Sequence, residues 1–193
     1  MSRTTQPWPP VPTDPPERHP DAPEPGTVLG PHYAHCFGCG DEQEQGLHLV
    51  TTAGAGHTVL ATFAVTQAHQ GAPGLAHGGL LACAFDEALG AAIGYLMRRP
   101  AVTGSLSTDF LRPVPVGSTL HITSRLDGVA GRKIYASADG RLGQPDGPVA
   151  VRARALFVLV DLSHFTRHGR AADLAAAAAE LGPARERRYD INP

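Results

Sequence analysis

Alternation dominates this chain. Between His57 and Thr66, Val59, Ala61, Phe63 and Val65 point one way and Thr58, Thr62 and Thr66 the other, which predicts a half-buried strand. Related runs at 47–52, 118–126, 132–139 and 149–161, and a further stretch at 102–110, also read as strands. Ala53-Gly-Ala-Gly56, 127–131 and 140–147 supply turns between them, and 67–76 reads as a loop. One segment breaks the pattern. From Ala76 to about Arg98 the chain is apolar at helical spacing, enters through Gly78-Gly79 and stops at Arg98-Arg99-Pro100, because proline disfavours helix in the residue before it. Strands in meander order after one helix predict an α+β fold: a single domain with a curved antiparallel sheet wrapped around one long central helix.

Composition bounds this domain. Residues 1–27 hold nine of the eighteen prolines and one aromatic, Trp8. Such a stretch cannot bury enough apolar surface to offset its ordering entropy, so a disordered or extended tail is expected. The domain is placed at 28–165. Residues 166–193 are expected to form a helix, at about 170–181, and a tail.

A net charge of -2 gives no general electrostatic reason to bind nucleic acid or anionic membranes. No stretch reads as apolar enough to span a bilayer, and the N-terminus has no signal core. Cys36, Cys39 and Cys83 are too few for a disulfide framework, so a reduced, cytoplasmic protein is expected.

The candidate chemistry lies in the helix. Asp86 falls where periodicity expects core, on a face with Gly79, Ala82, Cys83 and Gly90, and Glu87 sits one step round. An aspartate on an apolar face is costly unless hydrogen-bonded or used. His77-Gly78-Gly79 at the helix start exposes backbone N–H groups suited to an oxyanion. Gly79 and Asp86 are seven residues apart, about 10 Å along the axis. That spacing disfavours one helix serving one carbonyl with both groups, whereas two antiparallel copies could, which favours a homodimer with two shared sites.

Cys36-x-x-Cys39, with His32 and His35 upstream, offers four zinc-type side chains. Closed zinc sites usually join two ligand clusters across a longer loop, and only one cluster is visible here. The reading preferred from sequence is a glycine-turned lead-in whose Cys and Phe side chains pack on the domain, with no metal.

The ordered set Gln70-Gly71-x-Pro73-Gly74-x-x-His77-Gly78-Gly79, Asp86, Thr103, Phe110-x-Arg112-Pro113-x-Pro115 and Leu126-Asp127-x-Val129-x-Gly131-Arg132-Lys133 resembles the hotdog-fold acyl-CoA thioesterases of the PaaI-like and thioesterase-superfamily-member type. The resemblance covers roughly 36–160. It implies a hotdog domain that hydrolyses acyl-CoA to free acid and CoA as a homodimer or dimer of dimers, with no cofactor beyond the coenzyme A of the substrate. It implies Asp86 as the carboxylate that attacks the thioester or activates water, and Gly78 as the backbone donor to its carbonyl. Thr103 is implied as the residue that helps place the water, and His77 as a residue orienting the loop or touching the thioester. On the binding side it implies Gln70, Gly79, Arg112, Arg132 and Lys133, the basic residues for coenzyme A phosphates. Relatives often carry Asn or Gln where this chain has Gly71, and Gln70 is the candidate to replace it. The alternatives are a non-catalytic acyl-CoA-binding module and a 3-hydroxyacyl thioester dehydratase or hydratase.

Overall fold

A computed structural model describes residues 7–177. Among these residues nine strands and the helices α1 and α2 follow in order: β1 (Val28–Leu29), β2 (Val50–Ala53), β3 (Thr58–Ala64), β4 (Gln70–Ala72), β5 (Leu75–Ala76), α1 (Gly78–Ala91), β6 (Ala101–Phe110), β7 (Thr119–Ala130), β8 (Lys133–Leu142), β9 (Val149–Leu159) and α2 (Ser163–His168). Seven strands form one antiparallel sheet in the order β1-β2-β3-β7-β8-β9-β6, and β4 and β5 form a separate two-stranded ribbon. This is the α+β arrangement that the alternation predicts and the hotdog fold that the resemblance implies.

The alternating positions fill the core. Val59, Ala61 and Phe63 of β3, Leu120 and Ile122 of β7, and Val151, Ala153, Ala155 and Phe157 of β9 are buried against Leu81, Ala84, Phe85, Ala88, Leu89, Ile93 and Leu96 of the helix. Two local features fix how closely helix and sheet approach. Ser124, fully buried on β7, donates its hydroxyl to the Ala88 carbonyl at 2.8 Å and lies 3.2 Å from that of Val59. Gly140 leaves β8 without a side chain where the Phe85 ring presses in: a Cβ there would lie 2.5 Å from Phe85 Cζ. Glycine in a strand interior often marks such a close approach.

The helix is longer than α1 alone. Ala92–Met97 continues it as a π-helical turn, ended by Arg98 in a left-handed conformation (φ 51°). The combined Gly78–Met97 segment, 20 residues with hydropathy 1.5, is long and apolar enough to cross a bilayer, which corrects the expectation that no stretch is. In this fold it is the core helix, with 56% of its most apolar window buried.

Two further departures from expectation have local causes. The turn expected at 127–131 is mostly strand. A register shift between Leu126 and Gly128 absorbs the extra residue, and pairing continues to Ala130↔Lys133 around Gly131 (φ 58°). A second shift lies in β6, where Thr103 pairs with Phe157 and Ser105 with Leu156, so Gly104 is a bulge.

Residues 7–27, the described part of the expected disordered or extended tail, pack on the domain: Trp8 lies on the sheet face opposite the helix, and the chain then passes the end of β7 to reach the C-terminal end of the helix. Trp8 Nε1 donates to Asp127 Oδ2 at 2.8 Å, and its ring meets Tyr135 edge-on at 5.4 Å. Asp14 bridges Val129, and the His19 N–H reaches the Leu96 carbonyl. The prolines suit this path because they hold the chain extended without needing a ladder donor. β8 is consequently buried on both faces from Ile134 to Ala138. At the other end, residues 171–177 are helical, and the rest of the expected C-terminal helix lies outside the described residues.

Candidate active site

α1 begins at His77, whose extended backbone makes it the N-cap. The His77 ring accepts the Gly79 N–H at Nδ1, 3.0 Å away. Of the two glycines expected to present donors, Gly79 is therefore committed to the cap. The Gly78 N–H has no acceptor among the described residues. Gly78 lies under Phe110 of β6, since a Cβ on it would stand 3.3 Å from Phe110 Cζ. The helix dipole adds partial positive charge at this point.

The ribbon before the helix sets this start. The Gln70 side chain accepts the Gly74 N–H at 2.8 Å, closing the β4–β5 turn in which Gly74 has φ 75°. Position 71 has no room for the Asn or Gln that the resemblance places there: a Cβ at Gly71 would come within 2.8 Å of the His77 Cα. His69, buried behind the ribbon, receives the Thr66 N–H at 3.0 Å.

Asp86 lies two turns further along. It does not point at the sheet-covered core, as periodicity suggested. With Glu87, Gly90 and Gly94 it forms the wall of an open cleft of about 230 Å³, also lined by His32, Arg99, Thr103 and Phe157. Thr103 Oγ1 donates to Asp86 Oδ1 at 2.9 Å. Burial pushes the Asp86 carboxyl above its ordinary range; the Thr103 hydroxyl opposes the rise and neighbouring Glu87 adds to it. A carboxylate so placed is a better proton acceptor than a free one.

Glu87 has a different environment. Burial would raise its pKa, but His32 at 3.3 Å outweighs that and holds it below the usual value. His32 is itself raised to about 10: burial acts downward, and Cys36 and Glu87 overcome it. Neither acid pairs with Arg98, which reaches Asp21 instead. This convergence on Glu87 was not anticipated from the sequence.

The basic residues expected to hold coenzyme A phosphates, Arg112, Arg132 and Lys133, stand apart from the cleft. Arg132 and Lys133 occupy the exposed β7–β8 turn, and Lys133 pairs with Val158 on β9. Arg112, after β6, donates to the Val149 carbonyl. Within one chain the structure thus brings Asp86 and Thr103 together, and groups His77, Gly78, Gly79 and Gln70 at the helix start. It leaves Arg112, Arg132 and Lys133 on the surface. Along the helix, about 10 Å separates Gly79 from Asp86.

Comparison with known proteins gives concordant matches. The family model described as the thioesterase superfamily matches residues 73–148. The acyl-coenzyme A thioesterase THEM4 of Bos taurus is 38% identical over 92 residues, 48% of this chain and 37% of that protein. The chain thus spans little more than a third of that curated relative. A crystal structure of a thioesterase superfamily protein superposes with a TM-score of 0.60 at 32% identity, covering 72% of this chain and 70% of that one. The PaaI protein from the Escherichia coli phenylacetic acid degradation operon shares the fold, with a TM-score of 0.54 at 20% identity over 60% of this chain and 81% of its own.

Proposed function

We propose, from the premise that this chain belongs to the thioesterase superfamily, that it hydrolyses acyl-CoA thioesters to the free acid and CoA. The observation that carries the reading is the half-buried Asp86 carboxylate, raised in pKa and held by Thr103, on a helix whose Gly78 N–H is open at its start.

Asp86 accepts a proton from water as that water attacks the thioester carbonyl. The carbonyl oxygen takes up negative charge against the Gly78 N–H and the helix N-terminus. Collapse breaks the C–S bond, and the proton held by Asp86 passes to the departing CoA thiolate. Thr103 is a positioning residue that fixes the carboxylate rotamer. His77 acts through its cap on Gly79, which orients the glycine turn.

The separation along the helix favours a shared site, in which a carbonyl seated on Gly78 is served by Asp86 of the partner subunit. Two features support such a pairing. β6, ten residues long, is the edge strand of the sheet and has β9 as its one strand partner among the described residues. The half-exposed helix margin at Ala82, Cys83, Gly90 and Gly94 is small enough for close approach. Arg132 and Lys133, with Arg112, would take the phosphates of coenzyme A, for which a guanidinium fork and an ammonium are both suited.

A dehydratase would need a histidine aimed with the acid at the reacting carbons; His77 is committed to the helix cap, and His32, in the cleft, to Glu87 and Cys39. The test is a panel of acyl-CoAs with thiol detection on wild type and Asp86→Asn. Release of CoA by wild type alone supports hydrolysis. Tight binding with no thiol released from any chain would make this a binding module, and enoyl/3-hydroxyacyl interconversion with the thioester intact would make it a hydratase.

A further inference from the structure

We propose that His32, Cys36, Cys39 and Glu87 form a four-ligand zinc site that fastens the loop before β2 to the central helix. One donor atom from each residue lies within 4.8 Å of every other. The closest approaches are 3.2 Å from Cys39 Sγ to His32 Nδ1, 3.3 Å from His32 Nδ1 to Glu87 Oε1 and 3.4 Å from Cys36 Sγ to Glu87 Oε2. Tetrahedral bonds of about 2.0–2.3 Å require ligand atoms about 3.3–3.8 Å apart. Small side-chain movements therefore suffice.

The backbone is shaped around these four groups. Gly38 donates its N–H to Cys36 Sγ at 3.3 Å, which favours a thiolate there, and the Gly40 N–H closes on the Cys36 carbonyl at 2.8 Å. A side chain at Gly40 would collide with backbone, and one at Gly38 would displace the Glu87 carboxylate from the cluster. A Cβ at Gly38 would fall 2.3 Å from Glu87 Oε2, and one at Gly40 would fall 2.2 Å from the Ala34 carbonyl oxygen. The Leu49 N–H reaches the Gly38 carbonyl at 2.9 Å, tying the turn to the chain that enters β2. The Cys-Phe-Gly-Cys-Gly turn is thus built to let a carboxylate from another element reach between two thiols.

The donor set selects the metal. Two sulfurs, an imidazole and one carboxylate oxygen suit zinc and do not suit the all-oxygen preference of magnesium or calcium. All four positions come from protein, which is the closed form of a structural site, with no place reserved for a reacting water. His35, the fourth ligand that local spacing offers, turns instead to Glu42 at 3.6 Å. Because Glu87 adjoins Asp86 and His32 lines the same cleft, the metal would also fix one wall of that cleft. The proposal does not depend on the reaction assigned above.

The test is metal analysis of the full chain purified under reducing conditions without chelator. About one zinc per chain is expected. After chelation, titration with cobalt(II) should produce the intense visible bands of a tetrahedral site together with a thiolate-to-cobalt charge-transfer band. Cys36→Ser, Cys39→Ser and Glu87→Gln should each lose stoichiometric zinc, while His35→Ala keeps it. Removing zinc should lower Tm, and adding it back should restore it. Where a cysteine variant fails to fold, Glu87→Gln and the cobalt spectrum of wild type decide. Reduced protein that carries no zinc as purified and shows no thiolate-to-cobalt band on titration overturns the proposal, as does full zinc retention by Glu87→Gln and Cys36→Ser together.

Discussion

The Thr103 hydroxyl, on an edge strand, donates to the Asp86 carboxylate of the central helix across 2.9 Å. Both are polar residues on elements otherwise used for packing, and the contact makes the acid a defined feature of the cleft wall.

Replacing Asp86 by Asn should remove the proton acceptor and lower kcat for acyl-CoA hydrolysis by about 10²–10⁴-fold. Thr103→Val should cost about tenfold or more, as expected for a hydrogen bond to a charged group. It should also move the acid limb of the pH–rate profile upward, because the Thr103 hydrogen bond lowers the Asp86 pKa. Thr103→Ser should restore both. Steady-state kinetics across pH checks each outcome, and size-exclusion chromatography should show unchanged assembly for Asp86→Asn.

The raised Asp86 pKa has a second consequence, with a definite sign. The folded chain holds this proton more tightly than the unfolded one, so Asp86 lowers stability as pH rises through its unfolded and then its folded pKa. Hydrolysis should rise over the same interval, with its acid limb above the ordinary carboxylate range. Asp86→Asn removes the penalty on the charge while keeping an oxygen for Thr103. It should melt higher than wild type at neutral pH, with the difference shrinking in acid. Thermal melts at two pH values test this.

Gly140→Ala should destabilise the domain by about 1–3 kcal/mol, the usual range for overpacking. The new Cβ would lie 2.5 Å from the ring of Phe85, which is fully buried. Adding Phe85→Leu should recover part of the loss. Denaturant melts of both single variants and the double variant measure the coupling, and simple additivity would refute the contact.

Trp8→Ala should free the N-terminal arm. It removes the donor to Asp127 and the edge contact on Tyr135. Limited proteolysis should then cleave within 7–27 markedly faster, and near-ultraviolet circular dichroism should lose the tryptophan band. The 28–165 region should stay resistant.

Most of the fold was legible because its strands follow simple alternation, and Val59, Ala61 and Phe63 face the core as their pattern predicts. Gly78 and Asp86 stood out as candidates because an acid and a glycine pair are conspicuous in an apolar helix. Other features depend on contacts that local spacing does not encode. Glu87 stands 48 residues beyond Cys39, so the cluster it completes is invisible in sequence, where His35 is the nearer candidate. Gly128 and Gly131 look like one turn, yet a bulge keeps the strand paired almost to its tip. Trp8 docks because Asp127 and Tyr135 meet across the β7–β8 hairpin, a juxtaposition made only by folding.

The Gly104 bulge works as a half-period phase shift within β6. Before it, Thr103 stands opposite Phe157; after it, Leu106 stands opposite Ala155 and Phe110 opposite Val151, all partners on the helix side of β9. Seven residues separate Thr103 from Phe110, an odd interval that an unbroken strand would send to opposite faces. One inserted glycine brings the hydroxyl that holds Asp86 and the ring that covers Gly78 onto the same face. Deleting Gly104 would leave a longer regular ladder in which either Asp86 or Gly78 had lost its neighbour, so this edge strand cannot be made regular without dismantling one end of the site.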